Sequence, residues 1–160
     1  MRIRLLAVGQ RVPEWVAEGY RDFARRLPAE CSLDLVEIRS DRRSKGADVS
    51  RLREGESKRL LAAAPRGALV VALDVGGESW DTPELAARLN RWMHEGRDAA
   101  LLVGGPDGLS RACLERADLT WSLSPLTLPH AVARIIVAEQ IYRAWSMLRG
   151  HPYHRGDASR

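Results

Sequence analysis

Two stretches of this chain carry residues suited to holding a ligand. The first is GGPDG, Gly104 to Gly108. Glycines at a strand end let a ligand approach the backbone with no side chain in the way, and a helix starting just beyond can offer amide donors. The same run also serves as a plain strand-to-helix turn. The second is SLSPLTLP, Ser122 to Pro129, in which Pro125 and Pro129 remove two backbone donors and fix the path of an otherwise apolar loop. Such a loop offers free amides and carbonyls, with Leu123, Leu126 and Leu128 available to sandwich a flat ring. An adenine can be recognised in this way by backbone groups alone; a buried connecting loop is the alternative. His130 stands at the loop's exit, and Arg134 follows one turn later.

Other chemistries find no support. There is no GxGxxG after the first strand and no GxxxxGK[ST] phosphate loop. Cys31 and Cys113 have no CxxC partner and no histidine at metal-ligand spacing, so they read as reduced structural thiols, with no metal site. The formal charge of +4 and pI near 9.6 favour anionic partners. Lys45 and Lys58 are the only lysines, and arginine forks suit phosphates and bases, although a GC-rich genome also produces arginine dominance.

At 160 residues, 45% hydrophobic and 29% charged, the chain fits one soluble globular domain rather than a disordered polymer. The apolar runs ALVVAL and AALLV are too short to span a bilayer, and RIRLLAVG soon meets Arg11, Pro13 and Glu14, unlike a secretory signal. The expectation is a cytoplasmic protein with no membrane association.

The elements that must position these stretches alternate. Strands are expected at 3–9, 33–39, 68–74, 99–105 and 120–124, and helices after Pro13, from Val49 to Ala64, over 80–93, and from a Ser110 cap to Ala117. In the first helix Val16, Tyr20, Phe23 and Leu27 form an apolar face. GGE (76–78) reads as a turn, 40–50 as a mobile basic loop, and Asp81 or Thr82 as the cap of the third helix. This pattern predicts an α/β domain with a largely parallel five- to six-stranded sheet covered by helices on both faces. Ligands in such sheets sit at the carboxyl ends of the strands, here Gly9-Gln10, Leu73-Asp74, Gly104-Gly105 and Leu123-Ser124.

The last helix has two apolar sides. At 100° per residue Val137, Ile141, Trp145 and Leu148 fall on one, and Val132, Ile135 and Ile136 roughly opposite. Such a helix is either central in its own domain or clamped between its own sheet and another subunit, and in so small a chain the second predicts a symmetric homodimer through the C-terminal helix. Glu139 and Arg143 lie i,i+4 and can pair.

LLAVGQRVPEWV, VVALD, GGPDGLS, SLSPLTLPHAVARIIVAEQIYRAW and HPYHR together resemble, in order and nearly end to end, the RlmH (YbeA) family, ribosomal RNA large subunit methyltransferase H, of the SPOUT class. The resemblance implies a C-terminal trefoil knot, a homodimer, and S-adenosylmethionine-dependent methylation of N3 of a pseudouridine in 23S rRNA of the assembled ribosome. By position, Leu73, Gly104 and the stretch Leu123, Ser124, Pro125, Leu126, Thr127 and Leu128 match the family's cofactor-contacting sites, with Gly105 adjoining. Methyl transfer from a sulfonium to an imide nitrogen needs near-attack geometry and removal of a proton, and no metal. His130 or His154 would be the base, or His130 a helix-start histidine bonded to backbone. Arg143 and Arg155 would hold phosphate or stabilise an imide anion, unless Arg143 only pairs with Glu139. Tyr153 would stack on a base, unless HPYHR is a packed tail. The active site would be composite between subunits. The single domain is expected over 1–155, and 156–160, beyond the usual family ending, as a disordered tail. The rivals are a flavodoxin-like nucleotide-binding protein and a non-catalytic ribosome-binding module.

Overall fold

In a computed structural model, which describes residues 1–157, the most apolar run lies deepest. β1 (Arg2–Val8) is followed by α1 (Glu14–Ala24), β2 (Ser32–Ile38), α2 (Val49–Ala63), β3 (Leu69–Ser79), α3 (Thr82–Glu95) and β4 (Ala99–Val103). α4 (Arg111–Arg116), β5 (Leu119–Ser122) and α5 (His130–Leu148) complete the fold, with short 3-10 turns at Ala29–Cys31 and Pro152–Asp157. β4, AALLV, is buried at every position and occupies the centre of a five-stranded sheet ordered β2-β1-β4-β3-β5. All four pairings are parallel. A central parallel strand is covered on both faces, so its sequence has no polar alternation.

The strand order dictates the layers. Right-handed crossovers put helices that travel in opposite directions across a sheet on opposite faces. β1→β2 and β3→β4 step one way, carrying α1 and α3; β2→β3 and β4→β5 step the other way, carrying α2 and α4. Accordingly Ile3, Leu5 and Ala7 of β1 pack with Tyr20, Leu89, Val137 and Ile141 on one face. Leu6 and Val8 pack with Leu60 and Cys113 on the other. Each fully buried leucine contributes roughly 1.5–3 kcal/mol, so Leu5, Leu6, Leu101 and Leu102 fasten the sheet to both layers. α5 lies in the first layer, between α1 and α3.

Local signals set the boundaries. Asp81 caps α3, its Oδ1 accepting from Glu84 N at 2.8 Å, and Gly96 closes the helix at φ +66. Ser110 caps α4 through Cys113 N at 3.1 Å. Cys31 and Cys113 are buried, and burial pushes both thiols up to about 11. No helix among the described residues is long and apolar enough to cross a membrane.

Among the described residues the sheet has five strands, within the five to six expected. One expectation is corrected. GGE does not end the third strand: β3 continues to Ser79, because Glu78 and Ser79 pair again with β5 after an irregularity. The loop expected to be mobile is tied to α2 at its start, where Arg59 Nη2 donates to Arg39 O at 3.0 Å and Asp41 N to Glu56 Oε2 at 2.9 Å. Gly156 and Asp157 belong to the closing 3-10 turn, and the rest of the tail expected to be disordered lies outside the described residues.

Candidate functional site

At the carboxyl ends of β3, β4 and β5 a cavity of about 480 Å³ opens, within the roughly 300–1,000 Å³ of small-molecule sites. Three chain segments wall it, and each is shaped by local chemistry.

The first is a blister in β3. Leu73 pairs with Trp121 and Glu78 pairs with the same residue, so Asp74 to Gly77 leave the ladder. Asp74 Oδ2 accepts from Gly76 N at 2.9 Å, closing the arc. A Cβ on Gly77 would stand 2.7 Å from the backbone of Thr120, so only glycine passes there. The arc places Leu73, Asp74 and Val75 on the cavity.

The second wall is the glycine loop. Gly104 leaves no room for a side chain, since its Cβ would meet the carbonyl carbon of Gly108 at 2.6 Å. Gly105 and Gly108 bridge each other, and Gly108 turns the chain at φ +73. No residue of α4 lines the cavity, and the amide of Cys113 donates to the cap Ser110 Oγ at 3.1 Å rather than to a ligand.

The third wall is the proline-punctuated loop. Ser122 Oγ donates to Ser124 O at 3.1 Å and Leu126 N to Ser124 Oγ at 3.0 Å, folding it over the strand ends. Of the nine residues expected to bind a cofactor, Leu73, Gly104, Gly105, Leu123, Ser124, Leu126, Thr127 and Leu128 line the cavity; Pro125 is exposed and does not. Val75 and Leu126 line it while 59% and 73% exposed, an apolar pair lacking a cover. The strand-end rule pointed to Asp74, whereas Val75, Trp121 and Ala133 were not foreseen. The paired glycines 76 and 77 signalled the blister, whereas Trp121 and Ala133 come to the cavity only by folding.

His130, the first residue of α5, also lines the cavity. It lies beside the end of β1: a Cβ on Gly9 would be 3.9 Å from His130 Nε2 and 3.5 Å from Arg134 Nη2. Burial holds the imidazole below its ordinary value, the nearby Arg134 and Arg43 guanidiniums add to this, and Glu56 opposes it. His130 is therefore neutral, with a lone pair, at neutral pH.

Arg143, His154 and Arg155 do not line the cavity. Thirteen residues of helix put Arg143 about 20 Å along α5 from His130. There its Nε donates to Glu139 Oε1 at 2.9 Å, realising the i,i+4 pair, and its guanidinium lies 5.0 Å over the Tyr153 ring. Tyr153 donates to Glu139 Oε1 at 3.0 Å and packs against Tyr142, its ring centroid 4.7 Å away. The tail that carries His154 and Arg155 is thus packed on the far half of α5. Among the described residues no cluster of three or more His, Cys, Asp or Glu suits a metal ion.

The sheet order also bears on the rivals. A flavodoxin-like sheet runs 2-1-3-4-5, and here β3 and β4 are exchanged.

A family model described as Predicted SPOUT methyltransferase matches residues 1–154. The chain is 62% identical over 155 residues to Ribosomal RNA large subunit methyltransferase H of Thioalkalivibrio sulfidiphilus, covering 97% of this chain and 99% of the relative. It is 60% identical to the protein of the same name from Alkalilimnicola ehrlichii, again over 97% and 99%. Among solved structures, a Bordetella pertussis Tohama I protein described as a probable methyltransferase superposes with a TM-score of 0.58 at 20% identity, covering 89% of this chain and 95% of that one. A Legionella pneumophila protein whose structure holds the cofactor SAM gives a TM-score of 0.52 at 12% identity, covering 90% and 66%. At these identities the two structures speak for the fold.

Proposed function

Because the chain belongs to the SPOUT methyltransferase family, and within it to the ribosomal RNA large subunit methyltransferase H group, we propose that its cavity binds S-adenosylmethionine and that it methylates N3 of a pseudouridine in 23S rRNA of the assembled ribosome. The observation that carries this reading is the cavity itself. The loop Leu123 to Leu128, which the family uses for its cofactor, walls a space of suitable size with backbone groups and uncovered apolar side chains. Val75 and Leu126 suit a flat adenine, and the glycine wall suits close approach of a ribose or methionyl chain.

The cofactor supplies an electrophilic methyl group on a sulfonium. The protein's part is to hold the acceptor nitrogen in line with that group and to take the imide proton. With the cofactor bound, transfer of its methyl group to N3 would leave the sulfur its electron pair and require a protein group to take the N3 proton. His130, uncharged at the cavity's edge, accepts it. Arg143, His154 and Arg155 then serve the RNA, through phosphate contact and stabilisation of the developing imide anion.

These two groups of residues lie far apart in one chain, and a homodimer through α5 unites them. The less buried residues Val132, Ile135, Ile136, Glu139, Gln140 and Arg143 form one continuous stripe on the helix. Packing two such stripes about a two-fold axis sets the His130 end of one helix beside the Arg143 end of its partner. Each cofactor cavity then faces a tail from the other subunit. Membership of the SPOUT family implies a C-terminal trefoil knot, which would form where the chain passes from edge strand β5 to α5 between α1 and α3. A ribosomal substrate places the protein in the cytoplasm.

Calorimetric titration with S-adenosylmethionine, followed by label transfer to 70S particles and free 23S rRNA lacking the modification, tests the reading. Binding and labelling of 70S particles are expected. A folded dimer that binds no cofactor removes the methyltransferase, and binding with no label on either RNA leaves a non-catalytic ribosome-binding module.

A further inference from the structure

α2 is an unusual packing helix, because two of its three buried residues, Glu56 and Ser57, are polar. Glu56 is only 1% exposed. A carboxylate so deeply buried is costly unless its oxygens are satisfied. They are: Arg43 donates from Nη2 to Oε1 at 2.6 Å and from Nη1 to Oε2 at 2.9 Å, and Asp41 N adds a third bond at 2.9 Å. The same guanidinium reaches onward, its Nε donating to Asp107 Oδ2 at 2.8 Å. Asp107 lies inside the glycine loop that walls the cavity.

The next helix residue grips the same loop. Ser110 N, where the loop ends, donates to Ser57 Oγ at 2.8 Å. Ahead of the two grips, Gly105 fills a notch in which a Cβ would stand 3.1 Å from Val8 Cγ1 and 3.3 Å from Glu56 Oε1. One turn of α2 thus holds the wall twice, directly at Ser110 and through Arg43 at Asp107. Well-packed apolar residues often stabilise a fold as well as a buried ion pair does, so stability alone gives little reason for charge at this place. A bidentate fork does what an apolar pair does not: it fixes direction as well as distance.

We propose that Arg43, oriented by Glu56, is a positioning residue for the methyl donor, setting the Gly104 to Gly108 wall through Asp107 although neither Arg43 nor Asp107 lines the cavity. The inference rests on the reading of the cavity as the cofactor site. Its test is a double-mutant cycle on the full-length protein, using Arg43→Lys, Asp107→Ala and the double variant, with the Kd for S-adenosylmethionine from calorimetry and Tm from melting. Lysine keeps the charge and loses the fork. Each single change is expected to raise Kd roughly tenfold, and the double variant to bind no more weakly than the poorer single variant, because both break one connection. A purely structural role predicts a lower Tm with unchanged Kd in the folded protein. Wild-type affinity in both folded single variants, or effects that multiply in the double, overturns the proposal. Should Arg43→Lys not fold, the affinity of Asp107→Ala alone decides, since Asp107 is partly exposed. Absence of binding by the wild-type protein would instead refute the cofactor reading on which the clasp depends.

Discussion

Arg134 closes on Gly9. From a side chain 1% exposed, its Nη2 donates to the glycine carbonyl at 2.6 Å while Nη1 reaches Glu37 Oε2 at 3.1 Å. The pair locks the start of α5 to the end of β1, and the φ of +112 at Gly9 is one that a side chain would strain. Replacing Arg134 with methionine removes the donor to the Gly9 carbonyl and the partner of the Glu37 carboxylate. A loss of roughly 3 kcal/mol is expected, read as a lower midpoint in urea unfolding; an unchanged midpoint would show that the contact is dispensable.

The same guanidinium faces His130, whose folded value lies below that of a free imidazole. Between that value and about 6.5 the unfolded chain binds more protons than the native one, so stability falls as pH is lowered through this window and is unaffected above it. Removing the group removes the slope. Unfolding free energies of wild type and His130→Gln, compared from about pH 7.5 to 5.5, should diverge in favour of the variant at the acid end. Parallel curves would place His130 at an ordinary value.

Gly104 is held against the backbone of Gly108. An alanine there forces the loop apart, with an expected cost of roughly 1–3 kcal/mol. It should also weaken S-adenosylmethionine binding at least tenfold, an estimate for a displaced wall. Calorimetry and thermal melting of Gly104→Ala test both; wild-type affinity would mean that this wall does not touch the ligand.

Trp121 lines the cavity and stacks on Trp80, with ring centroids 5.1 Å apart and planes 12° from parallel. Ligand entering the cavity should change the tryptophan emission, and Trp121→Phe should remove most of that change while leaving a calorimetric signal. An undiminished response in the variant would assign the change to another of the five tryptophans.

Ile136 sits midway along the less buried stripe of α5. An arginine there introduces two like charges near the proposed two-fold axis and should convert the dimer to a folded monomer in light scattering. That monomer should retain cofactor affinity and lose turnover, as separated halves of a composite site require. A persistent dimer would move the interface elsewhere.

Much of the scaffold was legible in the sequence because it is written in short-range signals. AALLV read as a strand, Asp81 and Ser110 stood where caps belong, and Glu139 and Arg143 were one helical turn apart. The order of the strands was not legible, since pairing β4 between β1 and β3 depends on contacts across the whole chain. Resemblance located most of the cavity's loop residues and the strand-end rule located Asp74, whereas Val75 escaped because a blister in β3 looks, in sequence, like the turn that GGE suggested. The clasp was hidden for another reason: Arg43, Glu56 and Asp107 have no periodic relation, and only the approach of α2 to the glycine loop makes them neighbours.

α5 leaves the ribosome after all five strands, yet it occupies the middle of its layer, between α1 and α3. Until it emerges, the apolar faces that Tyr20 and Leu89 turn toward Val137 and Ile141 have nothing to pack against. The nascent segment ahead of α5 therefore carries an open hydrophobic trough, and this fold cannot mature piece by piece from β1 onward in the manner of a multidomain protein. Acquisition of the binding cavity, completed by the same late segment, coincides with completion of the core, so a chain truncated before His130 has neither.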